Sequence, residues 1–199
     1  SSLADVMKAG KTLSWGGSGK VSGTSDGAAM TCHALRLKCK IVTGYKGSRA
    51  AALAVTQGEM DALYVSETSA YNYVKGKNAK AIATMGRKRS TLFPDLPTVF
   101  EQIPTLDKEQ QWWIDYRNTV ESLGRILVAP PSTPKHLVEL LRAATEKILT
   151  DPKIVADANK KKRYIKFIPA DQTIKNVNTV LSAVTPAQVA EIKRVVLGN

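Results

Sequence analysis

The chain has 199 residues, and 43% of them are hydrophobic, which is enough for one substantial core or two small ones. Its net charge is +12, yet its basic residues are dispersed and aromatic residues make up only 6%. The charge by itself would suit a nucleic-acid binder. The dispersion and the scarcity of aromatic side chains disfavour that class and favour small anions as partners.

Long apolar runs, a possible leader and clusters of basic residues bear on where the protein is located. No run of about 18 apolar residues occurs, so we predict no membrane-spanning helix. No basic and apolar leader opens the sequence, and we expect any secretion signal to lie outside it. The one dense basic cluster, Lys160-Lys161-Lys162-Arg163, falls at the predicted end of a helix, where cations complement the helix dipole.

Helices and strands alternate over the first 84 residues. Apolar spacing predicts a short helix from Leu3 that stops at Gly10. The predicted strands are residues 13–15, 40–43, 62–65 and 79–84, and the predicted helices between them are residues 22–35, 48–57 and 70–74. Strands separated by helices imply right-handed crossovers. The sequence therefore predicts an α/β fold with a mostly parallel sheet flanked by helices.

The rest of the chain is predicted to be mainly helical. After a proline-punctuated loop come predicted helices that begin near residues 97, 107, 133, 151, 169 and 186, and two further strands at residues 124–129 and 165–168. The helix that begins near residue 107 carries Trp112, Trp113 and Tyr116. We expect these aromatic side chains to pack against a neighbouring layer rather than to bind a ligand.

The first candidate site is the glycine-rich loop after the first strand, residues 16–24. A valine separates its lysine from the next serine, so the loop fails the Walker A spacing, and its glycines also fail the dinucleotide-binding fingerprint. What remains is a strand–loop–helix junction with hydroxyl groups at Ser18, Ser22 and Thr24. Such a junction offers backbone N–H groups to an anion.

A second junction of the same kind follows the second strand. Tyr45-Lys46-Gly47-Ser48 opens an alanine-rich helix and adds a hydroxyl group and a full positive charge. Because the carboxyl ends of parallel strands meet at one sheet edge, we expect both junctions to bind one small anion, with Ser66 beside them. The predicted ligand-binding residues are Gly17, Ser18, Gly19, Ser22, Thr24, Tyr45, Lys46, Gly47, Ser48 and Ser66.

The sequence offers little chemistry beyond binding. His33 and His136 are not near either junction in the sequence, and we find no serine-centred elbow, no histidine–carboxylate pairing of recognisable spacing and no metal-ligand cluster. We therefore predict no enzyme activity, no cofactor and no metal. Asp61 is predicted to be a solvated turn residue. Cys32 and Cys39 are seven residues apart, and the sequence leaves open whether they form a disulfide.

Several motifs come in the order found in one family. They are LSWGGSG at 13–19, VTGYKGS at 42–48, GEMD at 58–61, FPDLPTV at 93–99, VAPPSTP at 128–134, TDP at 150–152 and VTPA at 184–187. In these motifs the chain resembles the extracytoplasmic solute-binding proteins of tripartite tricarboxylate transporters, also called Bug-type receptors. The resemblance covers nearly the whole chain, and the YKGS and PDLPT signatures are specific when they occur together.

The resemblance implies a two-lobed, type II periplasmic-binding-protein fold. Members of this family capture small organic anions, usually carboxylates, between their lobes in the periplasm and deliver them to membrane subunits of a transporter. The Gly-Ser loop of the family corresponds here to residues 16–24, and its second-lobe turn to residues 45–48. Val21 stands where a glycine is usual, and Val65 stands where many members carry an aspartate. The absence of that carboxylate reduces the repulsion of an anion and leaves the ligand's identity open.

A larger departure concerns the first lobe. The chain has no Pro-Gly-Gly anion loop, so we expect residues 1–122 to be the second lobe and residues 123–199 to be the segment that returns to the first lobe. A chain of this kind could also form a homodimer through its exposed apolar face. An alternative function from another class is the ligand-sensing domain of a regulatory or nucleic-acid-associated protein, because such domains share the two-lobed fold.

Overall fold

The computed structural model describes residues 2–8, 10–161 and 163–198. The chain divides into two compact units. Unit 1 comprises the chain up to Thr119 together with the segment from Val184 onward, and unit 2 is the stretch from Val120 to Ala183 between them. The last helix of the chain therefore belongs to the same unit as the first strands.

Over the described residues, the chain forms two strands and ten helices. The strands are β1 (Leu13–Gly16) and β2 (Cys39–Val42). The helices are α1 (Leu3–Lys8), α2 (Gly23–Ala34), α3 (Ser48–Thr56), α4 (Glu67–Lys75), α5 (Val99–Gln102), α6 (Lys108–Ser122), α7 (Lys135–Leu149), α8 (Pro152–Lys160), α9 (Ala170–Ser182) and α10 (Pro186–Leu197). All of the predicted helices are confirmed, with ends displaced by a few residues at most.

The sheet of unit 1 is small and parallel. Leu13 pairs with Cys39 and Gly16 pairs with Val42 at its two ends, and α2 connects the two strands. A single parallel bridge joins Ala62 to Trp15 on β1. The predicted α/β arrangement is thus confirmed with a shorter sheet than the sequence indicated.

The two predicted strands at residues 62–65 and 79–84 are wrong. After Ala62 the chain leaves the sheet and continues to α4, so the predicted strand at residues 62–65 is reduced to the single bridge at Ala62. In the second, the side-chain amide of Gln102 donates to the carbonyl of Ile82 at 2.8 Å, and Thr84 forms one bridge with Thr98. The carbonyl of Ile82 thus accepts from a side chain instead of from the backbone of a neighbouring strand. An apolar run forms a β-strand only when a second strand pairs with it.

The main core of unit 1 lies between helices. Leu35 from the end of α2, Val99 from α5 and Trp113 from α6 are each 2% exposed or less. Side chains of α10, including Ile192 and Val196, pack against this cluster. The prediction that the aromatic residues of α6 pack against a neighbouring layer is confirmed for Trp113, which lies in one buried cluster with Met30 of α2 and Val99 of α5.

The second core of unit 1 joins α2 to the sheet. Trp15 of β1 packs with Ala28 and Cys32 of α2. Cys32 forms a disulfide with Cys39 at the start of β2, with their Cα atoms 6.2 Å apart. The question that the sequence left open is therefore answered, and the last turn of α2 is tied covalently to β2.

Unit 2 contains α7, α8 and α9 joined by coil. The two strands predicted at residues 124–129 and 165–168 are wrong, because no described residue pairs with either segment and a strand needs a partner for its N–H and C=O groups. Helix α8 ends at Lys160, with Lys161 as its C-cap, as the basic cluster predicted. Lys162 of that cluster lies outside the described residues.

The apolar side chains of unit 2 are largely exposed. Among the residues described for this unit, Val180 is the one buried side chain. The large exposed hydrophobic residues are Ile126, Leu127, Val128, Leu137, Leu140, Leu141, Ile148, Ile154, Tyr164, Ile174 and Leu181. Each helix of unit 2 has an apolar stripe, but the residues described for this unit form no buried core that covers the stripes.

Candidate functional site

The two predicted junctions lie side by side. The amide of Gly17, directly after β1, donates to the carbonyl of Val42 at the end of β2 at 2.8 Å. The amide of Tyr45 donates back to the carbonyl of Gly17 at 3.3 Å. The backbone of Gly17 therefore joins the loop after β1 to the loop after β2 at one edge of the sheet.

The first loop is held by its own hydroxyl groups. Ser22 is the N-cap of α2, and its Oγ accepts from the amide of Ser25 at 3.4 Å. The Oγ1 of Thr24 accepts from the amide of Ser18 at 3.1 Å and lies 3.0 Å from the Oγ of Ser22. The Oγ of Ser25 donates to the carbonyl of Gly19 at 2.6 Å. These bonds fix the loop in front of the helix before any ligand arrives.

Glycine is required at one position of this loop and leaves space at another. A Cβ at Gly17 would lie 2.1 Å from the Oγ of Ser25, well inside contact distance. At Gly19, by contrast, a Cβ would meet no heavy atom within 4 Å. The loop is thus tight where it adjoins the sheet and open at its tip.

The second junction leaves several amide groups available. Gly47 is the N-cap of α3 at φ +82°, a conformation that disfavours other residues, and no side chain caps the helix. The amides of Ser48, Arg49 and Ala50 have no acceptor within the described part of the chain. The Oγ of Ser48 lies 2.9 Å from the hydroxyl of Tyr73. With exposed Lys46 beside it, this helix end presents N–H groups and positive charge to solvent.

Helix α2 contributes amide groups of the same kind. The amides of Gly23 and Thr24 likewise have no acceptor among the residues that the structure describes. The predicted residue Ser66 is the N-cap of α4, and its Oγ donates to the Oγ of Ser69 at 3.2 Å. No hydrogen bond among the described residues joins Ser66 to the other predicted site residues. The structure therefore links the two loops directly and leaves Ser66 at a separate helix start.

A buried arginine and a partly buried aspartate lie behind the first junction, and the sequence did not indicate them. Arg117 of α6 is 8% exposed, and its Nη2 donates to the carbonyl of Gly23 at 3.3 Å. Its guanidinium lies 5.1 Å from the centre of the Tyr64 ring. Burial raises the pKa of Asp26 in the first turn of α2, while a backbone hydrogen bond from Ser22 and the charge of Arg117 act in the opposite direction. Arg117 follows Trp113 by four residues, so its place on the buried face of α6 was the available signal.

Asp61 corrects a further expectation. It is exposed, as predicted, but it is bonded rather than merely solvated. Its carboxylate accepts from Lys11 Nζ at 2.6 Å and from the amide of Ser14 at 2.9 Å. These bonds, with that of Lys11 first, lower the pKa of Asp61 to about 2. Asp61 thus ties the start of β1 to the segment that bridges to it.

None of the helices described by the structure has both the length and the apolar character required to cross a bilayer.

Comparison with known proteins gives a consistent result. The sequence profile of the tripartite tricarboxylate transporter family receptors, TctC, matches residues 2–178. A curated UPF0065 protein of Bordetella pertussis is 28% identical over 111 residues, which are 56% of this chain and 31% of that protein. This chain therefore spans less than a third of that relative.

Two solved structures share the fold. A TctC solute-binding protein from Polaromonas, solved without ligand, has a TM-score of 0.57 at 19% identity, over 92% of this chain and 62% of that one. The protein of R. palustris solved with adipate has a TM-score of 0.67 at 14% identity, over 98% of this chain and 60% of that one. The chain spans about three fifths of each.

These two structures show the class of fold: this is an α/β chain of the type II periplasmic-binding kind. The chain belongs to the TctC family of tripartite tricarboxylate transporter receptors.

Proposed function

We propose that the chain captures a small organic anion, a carboxylate, at the joined N-termini of α2 and α3. The observation that carries this proposal is the pair of hydrogen bonds by which Gly17 holds the two loops together, 2.8 Å to Val42 and 3.3 Å from Tyr45. Their effect is to bring the open amides of two helix ends to one edge of the sheet. A carboxylate has two oxygen atoms and can accept from both ends at once.

The expected affinity follows from the number of bonds. A hydrogen bond to a charged group contributes about 1.5–3 kcal/mol, so two or three bonds give about 5 kcal/mol, or a Kd of a few tenths of a millimolar. Micromolar binding needs about 8 kcal/mol. The rest of this binding free energy would come from contacts with a second lobe that closes over the ligand. We therefore expect this chain to bind weakly by itself.

The known relatives support a carboxylate ligand. The R. palustris protein of the same fold was solved with adipate, a dicarboxylate. The family to which this chain belongs consists of receptors of tripartite tricarboxylate transporters. From the adipate complex we infer that the ligand of this chain is a carboxylate. From the family we infer that its partner is the set of membrane subunits of such a transporter. Delivery of an unchanged ligand also implies a receptor without enzyme activity.

The two-lobed arrangement of a whole receptor would explain why the apolar side chains of unit 2 are exposed. We propose that residues 1–122 correspond to the second lobe and residues 123–199 to the segment that returns to the first lobe, with α10 at the end of that segment packed back on unit 1. The exposed stripe of α7, with Leu140 65% exposed and Leu141 45% exposed, supports this division, because such surfaces usually face a partner. The segment at 124–129 has the composition of a strand that lacks a sheet. A homodimer through the same surface is the competing arrangement.

The cysteine pair supports a periplasmic location. The Cys32–Cys39 disulfide would persist in an oxidising compartment, and the cytosol keeps most such pairs reduced. A receptor that serves membrane subunits from outside the cytoplasm would meet this condition.

Calorimetric titration of the chain with adipate, succinate and the uncharged diamide of adipic acid tests the ligand class. We expect submillimolar binding of the dicarboxylates and none of the diamide. Gly47→Ala should weaken binding about tenfold, because Gly47 is at φ +82° at the N-terminus of α3. Gly58→Ala is the matched control, since Gly58 is at φ +77° just beyond the other end of the same helix. Equal losses in both variants would count against the site.

A further inference from the structure

A histidine and two glutamates converge in unit 1, away from the strand-end junctions. His33 is on α2, Glu109 is on α6 and Glu191 is on α10. Each offers one ligand atom, and these atoms all lie within 4.8 Å of one another. The three residues come from distant parts of the chain, which is why the sequence, searched for local ligand spacing, predicted no metal.

The imidazole of His33 is held in place by the core. Its ring packs edge-on against Trp113, with 4.6 Å between ring centroids, and Trp113 is 2% exposed. The Nε2 atom lies 3.6 Å from Oε1 of Glu191, which is longer than a hydrogen bond. Packing against buried Trp113 thus places Nε2 of His33 near the carboxylate of Glu191, at a distance too long for a hydrogen bond.

The ligand set indicates a borderline divalent cation. One imidazole nitrogen and two carboxylate oxygens, with water in a fourth position, form a set that Zn²⁺ accepts. Thiolate ligands are excluded at this place, because the neighbouring Cys32 is bonded to Cys39. A groove of about 300 Å³ adjoins two of the three ligands, His33 and Glu109, and gives room for a coordinating water molecule.

Competing cations are present, but they are exposed. Nη2 of Arg36 lies 3.7 Å from Glu109, and Nη2 of Arg194 lies 3.3 Å from Glu191. Both arginine side chains are more than half exposed, so these pairs stabilise little and a divalent ion can displace them. A tetrahedral zinc site needs ligand atoms about 3.4 Å apart, so atoms that are as much as 4.8 Å apart must close in by up to about 1.4 Å. Both glutamate side chains are at least 41% exposed and have the freedom to do so.

We propose that His33, Glu109 and Glu191 bind one zinc ion. The ion would join α10, near the end of the chain, to α2 and α6, which are both more than 60 residues away from it in sequence. This site is independent of the proposed carboxylate site and would stabilise the fold whether or not an anion is bound.

The test uses the full chain without a histidine tag. Zinc chloride is added, excess metal is removed by dialysis, and bound zinc is measured by mass spectrometry, with affinity from a competing chelator dye. We expect one zinc per chain at a micromolar Kd and a rise in Tm of about 5 °C. His33→Ala should weaken binding at least tenfold, and Glu109→Gln and Glu191→Gln should each weaken it several-fold.

The second histidine of the chain provides the matched control. His136 is exposed on α7, so His136→Ala should leave zinc affinity and the Tm rise unchanged. Equal losses in the His33 and His136 variants would overturn the proposal, and so would failure of the unaltered chain to bind at 100 μM zinc. If His33→Ala does not fold by circular dichroism, Glu109→Gln decides, because Glu109 is 62% exposed and its loss should not unfold the chain.

Discussion

Units 1 and 2 carry similar amphipathic helices but bury them to different extents. In unit 1 the side chains of Trp113, Leu35 and Val99 are each 2% exposed or less. In unit 2 Leu140 is 65% exposed and Leu181 is 68% exposed. In unit 1 two strands pair and the helices cover them; in unit 2 both predicted strands are coil. The difference teaches that a predicted strand forms only where a second strand pairs with it, whereas an amphipathic helix satisfies its own backbone hydrogen bonds and forms even where its apolar stripe stays exposed.

The largest contrast between the units should appear when a large side chain is removed from each. Trp113→Ala should lower the free energy of unfolding by about 3–5 kcal/mol, because it empties the centre of the main core. Leu140→Ala, on the exposed stripe of α7, should change it by less than about 0.5 kcal/mol. Urea denaturation followed by circular dichroism measures both. A large loss from Leu140→Ala would mean that unit 2 is packed in solution, for example in a dimer.

Next in size is the disulfide of unit 1. Cys32 and Cys39 close a loop with a sequence separation of 7, and in the chain-entropy account such a bond contributes about 2.5 kcal/mol. The double change of both cysteines to alanine should therefore lower the urea midpoint clearly. Because Cys32 lies in the core that joins α2 to the sheet, protection of β2 amides from hydrogen exchange should fall while that of α7 does not. Uniform loss of protection would show that the units do not unfold separately.

The sequence anticipated the helix starts of both units because their signals are local. Ser22 caps α2 in unit 1 and Asp151 caps α8 in unit 2, and each lies where the sequence predicts a helix to begin. The two junctions were found from glycine and hydroxyl spacing, and the structure joins their loops through Gly17.

What the sequence missed depends on contacts between distant residues. The bond from Gln102 to Ile82, which takes a carbonyl of a predicted strand, spans 20 residues. The approach of Arg117 to Gly23 spans 94. No local pattern encodes either contact. The coil at 124–129 was missed for another reason, since its composition is that of a strand and the described residues offer it no partner.

The smallest effect concerns pH. The pKa of Asp61 is lowered from 3.8 to about 2 by bonds from Lys11 and Ser14, so its ionised form stabilises unit 1 above pH 4 and this contribution is lost as pH falls toward 2. Solvent screening reduces the effect to about 1 kcal/mol. The stability difference between the natural chain and Asp61→Asn should therefore shrink over this interval. The control is Asp157→Asn in unit 2, an exposed carboxylate paired with Lys161 at 2.6 Å, which should cost under about 0.5 kcal/mol.

The most direct test of the proposed anion site is a titration of the ¹⁵N-labelled chain with adipate, followed by amide chemical shifts. The amides of Gly23, Thr24, Ser48, Arg49 and Ala50 should shift together along one saturation curve, since they have no acceptor among the described residues. Amides of α7 to α9 should stay in place. Shifts confined to unit 2, or movement of one helix start without the other, would contradict capture of one anion by both strand ends.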